Sequence, residues 1–148
     1  MKEFVDIEIS GTHLRYDESD PIAVNISGNH YIDGDIHKIT YVEEAQGFDE
    51  IILNTIIVKK NRVEIIKEGV VNSKMVFANN SRYKTIYDTP FGRLDMETET
   101  KLLLIDMNEE EINVYVEYIL YIEGDRASNS KMRIHIVEAV DRVDKKGG

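Results

Sequence analysis

The 148-residue sequence predicts an all-β protein, a single antiparallel closed β-barrel of about ten strands. Three observations carry the prediction. Apolar and polar residues alternate with a period of two almost throughout, turn-forming clusters interrupt that alternation at short intervals, and no long window favours helical spacing. Ten consecutive strands leave two open edges unless the sheet closes, and an antiparallel meander removes those edges most simply as a barrel. A two-sheet sandwich is the alternative. Long strands expected near 93–105 and 112–123 favour the barrel, because such ribbons bend round its wall.

In chain order, Val5, Ile7 and Ile9 alternate with Asp6, Glu8 and Ser10 in a first strand that is expected to continue past Gly11 to about Tyr16. Asp17–Pro21 reads as a polar loop, since Pro has no N–H for a ladder and Asp and Ser favour turns. Ile22, Val24 and Ile26 resume the alternation, Gly28 reads as a bulge or bend, and the strand ends near Asp33. Asp33-Gly34 reads as a type I′ hairpin turn, which needs positive φ at both central residues. Ile39, Tyr41 and Glu43 share one face of the return strand, which Gln46-Gly47 ends. Ile51–Lys60 is apolar on both faces, the pattern of a strand covered on each side or of one whose outer face meets another element.

Asn61 turns the chain into Arg62–Glu68, and Gly69 starts the next connection. The strand around Met75 and Phe77 ends in the turn formers Asn79-Asn80-Ser81. Tyr83, Thr85 and Tyr87 share a face of the following strand, which Thr89-Pro90-Phe91-Gly92 breaks. Leu94, Met96, Thr98, Thr100, Leu102 and Leu104 are expected to line one face of a long strand. After Asn108–Glu111 the inward row is Ile112, Val114, Val116, Tyr118, Leu120 and Ile122. Gly124–Asn129 closes the last hairpin, and Met132, Ile134 and Ile136 form the final row. The domain thus spans 1–148, with its core at about 3–138 and a polar tail at 139–148.

Composition narrows the function classes. The chain has no Cys, which excludes disulfides, thiolate metal sites and a Cys nucleophile, and permits a reducing compartment. Carboxylates interrupt the first eight residues, and the longest uncharged apolar stretches, near 51–58 and 119–122, fall short of the roughly 18 residues needed to cross a bilayer. The expectation is a cytoplasmic protein without a membrane partner. A net charge of −10 argues against nucleic acid, whose phosphates need basic neutralisation. Residues 1–50 carry three basic and twelve acidic side chains, whereas residues 51–100 carry eight and six. Lys59, Lys60, Arg62, Lys74, Arg82 and Lys84 in that middle third form a weak anion site if their strands adjoin, although the wet face of a sheet is the commoner meaning of such residues.

The run Tyr31-Ile32-Asp33-Gly34 followed by Ile39–Glu44 resembles the early hairpin of the YwiB-like family, bacterial proteins of unknown function with a calycin-like β-barrel. Met75-Val76-Phe77, Tyr87–Leu94 and Tyr118-Ile119-Leu120-Tyr121 are similar to that family's later strands, and the resemblance covers roughly residues 3–138. Thr89-Pro90-Phe91-Gly92, set between a Tyr-bearing and a Thr-bearing strand, is its most distinctive motif; Lys67-Glu68-Gly69 departs from the family's pattern, in which an Arg is expected before that glycine. The resemblance implies a closed calycin-like barrel and no particular activity. Calycins as a group often hold small apolar molecules. The absence of Trp sets the chain apart from true lipocalins.

No cofactor motif is present. His13, His30, His37 and His135 show neither HxH nor HxxxH spacing, Asp33-Gly34-Asp35 lacks the further oxygen ligands of a calcium loop, and neither a nucleophile elbow nor a phosphate-cradling Gly-rich loop occurs. Strict alternation instead points Tyr41, Glu43, Tyr83, Tyr87, Thr98, Thr100 and Tyr118 into the barrel. Such groups either fill a core with their hydroxyls tied to the backbone or orient a small, partly apolar ligand. A buried carboxylate needs a partner, so Glu43 is expected at the mouth, against a Tyr, or matched by Lys67 or Arg93. Small-ligand binding is the leading expectation. A homo-oligomeric or other interaction domain, using Ile52, Ile56, Val58, Ile119 and Tyr121 as an outer apolar patch, is the alternative. Acid/base catalysis by Glu43 beside a Tyr is the weakest of the three.

Overall fold

Alternating side chains give this chain one apolar face per strand, and a sheet that curls on itself buries every such face at once. The computed structural model does this with ten strands and describes residues 1, 3–12, 22–44 and 49–139. The strands are β1 (Phe4–Thr12), β2 (Ile22–Asp33), β3 (Ile36–Glu44), β4 (Ile51–Val58), β5 (Val63–Gly69), β6 (Ser73–Phe77), β7 (Arg82–Thr89), β8 (Gly92–Met107), β9 (Glu111–Ile122) and β10 (Asp125–Glu138). There is no helix among the described residues, and none long and apolar enough to cross a membrane. The expected extension of β1 to Tyr16, the Asp17–Pro21 loop, Gln46-Gly47 and most of the polar tail lie outside the described residues.

The strands run in the order β6-β5-β4-β3-β2-β1-β10-β9-β8-β7, each antiparallel to its neighbours, so β1 pairs with β10 and the two edges are β6 and β7. Those edges meet along a seam. Asn72 and Asp88 exchange two backbone hydrogen bonds of 2.9 Å across it. Side chains complete the closure. Asn79 accepts from the Leu103 N–H at 2.8 Å and donates to its carbonyl at 3.2 Å, while the Thr98 hydroxyl donates to the Val76 carbonyl at 3.2 Å. The result is a nearly closed barrel. Its upper end carries the β3–β4, β5–β6, β7–β8 and β9–β10 connections, and its lower end the intervening ones.

Two hairpins differ from expectation. At the β2–β3 turn Asp33 pairs with Ile36, so Gly34 and Asp35 are the central residues, and only Gly34 has positive φ (64°). That is the II′ pattern, not I′. The I′ requirement is met between Ile122 and Asp125, where Glu123 (φ 52°) and Gly124 (φ 84°) both adopt positive φ. The last hairpin is therefore closed by Glu123-Gly124, and 125–129 belong to β10 rather than to a loop. Gly28 is not a bulge in the β1–β2 ladder, whose register runs unbroken through Val5↔Gly28. It is a point of close approach: a Cβ there would lie 2.6 Å from the Thr40 carbonyl oxygen and 2.7 Å from Ile7 Cδ1.

Bulges sit elsewhere. The β8–β9 register shifts between Thr100 and Leu102, leaving Lys101 as an extra residue, and the β9–β10 register shifts between Arg126 and Ser128. Because side-chain direction has period two, one extra residue exchanges the faces of everything beyond it. Met96, Thr98 and Thr100 are buried before the bulge, but after it Leu103 is buried and Leu104 is 54% exposed. The expected inward row Leu94–Leu104 is therefore corrected at both ends, since Leu94 is also exposed.

Val5, Ile7, Ile39, Ile56, Val58, Val63, Phe77, Ile112, Val114, Ile134 and Ile136 form the packed apolar core. Full burial of such a side chain stabilises by about 1.5–3 kcal/mol. Ile52, Ile56 and Val58 belong to this interior, and Ile119 is buried as well, so the expected outer patch does not exist in that form. The basic cluster also resolves differently. Lys59, Arg62 and Lys74 converge on Glu64 at 3.4, 3.0 and 3.3 Å, and Arg82 pairs with Glu97 at 2.9 Å, so these cations are already neutralised. Burial pushes the Glu64 pKa up, and its three cationic partners outweigh that and hold it below the usual value.

Candidate functional site

Polar side chains inside the barrel gather on two walls. The first is built by β3, β4 and β5, whose register places Tyr41 beside Asn54 and Asn54 beside Lys67, all inward. The Lys67 ammonium donates to Glu43 Oε1 and to Asn54 Oδ1, both at 2.8 Å, and Asn54 Nδ2 donates to the same Glu43 oxygen at 3.0 Å. Asn54 is fully buried, whereas the Glu43 and Lys67 side chains are 41% and 31% exposed, which puts the pair at the upper mouth. Of the partners expected for Glu43 the fold selects Lys67. Arg93 is instead exposed near Asp88, at 4.0 Å.

Electrostatics follow from this geometry. Burial pushes the Glu43 carboxyl up, and the bonds from Lys67 and Asn54 outweigh it and hold the group below the usual carboxylate range. Burial, reinforced by the Glu43 charge, pushes the Tyr41 hydroxyl up to about 12. A carboxylate so satisfied is a weak general base, and Tyr41 stays protonated.

The second wall comes from β8, β9 and β10. Thr100 pairs with Tyr118 and Tyr118 with Ser130, while Thr98 and Ser128 flank Leu120, so their hydroxyls share the inner surface. Thr98, Thr100, Tyr118, Ser128 and Ser130 are all buried. The Ser128 and Ser130 hydroxyls are 2.8 Å apart. Burial raises the Tyr118 pKa and a hydrogen bond with Ser130 partly offsets that, while the ring packs on Phe77 at 4.9 Å between centroids. Thr100 Oγ1 is the one buried side-chain polar atom without a hydrogen-bond partner among the described residues. In the strand order β4 and β9 stand five places apart in ten, so the charged wall and the hydroxyl wall are opposite sides of the barrel.

The fold thus joins Tyr41 and Glu43 on one wall and Thr98, Thr100 and Tyr118 on the other. Tyr83 pairs with Thr98 and so shares its face, and Tyr87 is in phase with Tyr83; both are half-buried on β7, the edge strand at the seam, with the Lys74 ammonium 5.9 Å from the Tyr83 ring centroid. Sequence reasoning missed Asn54, Ser128 and Ser130. A signal existed for each: Asn54 is in phase with Ile52, Ile56 and Val58, and the serines are in phase with Met132 and Ile134.

At the lower end His30, which is buried, and His37 stack with centroids 5.1 Å apart and share a 2.8 Å Nε2···Nδ1 hydrogen bond. No group of three or more potential metal ligands converges among the described residues. Two surface clefts lie apart from both walls: one of about 690 Å³ between the β7–β8 hairpin and Tyr121, and one of about 460 Å³ over Asp6, Glu8, Asn25 and His135.

These features define an all-β, nearly closed antiparallel barrel with polar walls at one end. The chain belongs to a family described as a domain of unknown function, DUF1934, which matches residues 7–134. It is similar in fold to the crystal structure of the ywiB protein from Bacillus subtilis, with a TM-score of 0.79 and 17% identity over 93% of each chain. No curated protein matches it.

Proposed function

We propose that this protein is a calycin-like small-ligand-binding module whose ligand, partly apolar, seats between the two polar walls at the upper end. One observation carries the reading. The Thr100 hydroxyl is buried among other hydroxyls and has no partner among the described residues, and leaving such a group unsatisfied costs about 1–3 kcal/mol that a ligand's polar atom would recover. The cysteine-free composition accords with a cytoplasmic setting.

Thr100→Val tests this, because it keeps the shape and removes the hydroxyl. The empty protein should gain about 1 kcal/mol in urea denaturation, and small molecules carried through purification, read by native mass spectrometry, should be lost. Wild-type protein that carries nothing, together with a Thr100→Val protein of unchanged stability, would sink the proposal.

A second reading, self-association, is favoured by the outer face of β3 and β4. There Val42 and Leu53 are cross-strand partners and, with Ile51, are 54%, 39% and 56% exposed. Leu53→Glu should then reduce a sedimenting dimer to monomer. A monomeric wild type at high concentration counts against it.

A further inference from the structure

The hydrogen bonds of the charged wall leave two groups over. Glu43 Oε1 accepts from both Lys67 and Asn54, while Oε2 has no partner among the described residues. An ammonium has three N–H donors, and Lys67 uses two of them, on Glu43 and Asn54. Asn54, fully buried, pins both neighbours, so the spare acceptor and the spare donor belong to adjacent, partly exposed groups at the mouth.

From this we infer that the ligand presents a neutral edge with a hydrogen-bond donor beside an acceptor, as an amide, ureide or lactam does, and that Glu43 and Lys67 read that edge. The inference rests on the ligand-binding proposal and names its ligand class. A carboxylate head that reached Lys67 would also meet the ionised Glu43 held 2.8 Å from it, a like-charge contact. An ammonium or guanidinium head satisfies Oε2 but sets its own cation against Lys67 and offers that residue no acceptor. Only a group that donates and accepts on one edge fulfils both residues without a like-charge contact. The partnerless Thr100 hydroxyl on the opposite wall leaves a further polar contact for the body of the same molecule.

Benzamide, benzoate and benzylammonium share one ring and differ in the head, and each can be titrated into the 148-residue protein while backbone amide resonances are followed. Benzamide should shift the resonances of Glu43, Asn54 and Lys67, and the two charged analogues should bind there at least about tenfold more weakly, a difference of about 1.4 kcal/mol. Glu43→Gln should narrow the gap between benzamide and benzoate, a change in selectivity that a merely structural ion pair would not produce. Unshifted His30 and His37 resonances establish that this variant is folded, and Lys67→Met, which should weaken benzamide, is the second variant. If benzoate or benzylammonium binds wild type at these residues as tightly as benzamide, the ligand class is overturned and ligand binding stands. If none of the three shifts these resonances, both fall.

Discussion

Lys67 Nζ and Glu43 Oε1 meet at 2.8 Å although β4 runs between their strands. Two strand spacings amount to about 10 Å, which two long side chains can close only by reaching over whatever stands on the middle strand. Asn54 stands there, short enough to pass beneath and bonded to both. The ion pair is therefore a three-residue unit.

Asn54→Ala should consequently cost more than the loss of a surface polar group. Removing it withdraws one acceptor from Lys67 and one donor from Glu43 at a fully buried position, an expected loss of about 1–3 kcal/mol in urea denaturation. A loss below a few tenths would show that the pair holds without its bridge. The pH dependence has a fixed sign. The folded Glu43 pKa lies below its usual 4.5, so its contribution is present above 4.5 and is lost as pH falls through the folded value. Glu43→Gln should flatten that part of the acid limb.

Deleting Lys101 should be far more damaging than replacing it. Without the extra residue the distal half of β8 either slips register or turns Leu103, Ile105 and Met107 outward, each burial being worth about 1.5–3 kcal/mol when complete. Lys101→Gly keeps the count and should remain folded. Circular dichroism melts of the two variants compare them directly, and equal melting temperatures would refute the bulge as the device that sets the faces.

The His30–His37 pair should make stability fall under mild acid. Burial lowers the His37 pKa from 6.5, so below that value the unfolded chain takes up a proton that the folded one resists, and stability drops as pH falls towards the folded pKa. A hydrogen bond between two imidazoles also needs one bare nitrogen, which double protonation removes. Urea midpoints between pH 7.5 and about 5.5 should decline in wild type and decline less in His37→Asn. Parallel curves for the two proteins would contradict this.

Much of the architecture was legible because its signals are local. Alternation around Val5–Ile9 and Ile112–Ile122 locates strands from neighbouring residues alone, and ten strands with short turns imply closure. Glu43 could be recognised as an inward carboxylate in need of a cation. The Lys101 bulge could not be read, because no Gly or Pro marks it and it arises from fitting β8 to β9 while Asn79 holds Leu103 from across the seam. Nor could the gathering of Lys59, Arg62 and Lys74 be recognised as a sheath around Glu64, since local patterning makes Glu64 look like any solvent-facing residue.

The sequence by itself determined the all-β class, the number and rough extent of the strands, and the types of residue that face inward, because side-chain direction along a strand depends only on counting by twos. Tertiary structure alone decided which inward groups meet: Lys67 rather than Arg93 for Glu43, Asn54 between them, Thr100 without a partner, and Tyr83 and Tyr87 at the seam. The physical reason is that such meetings depend on register between strands distant in sequence, and a single extra residue at Lys101 reverses the faces of all that follow it in β8.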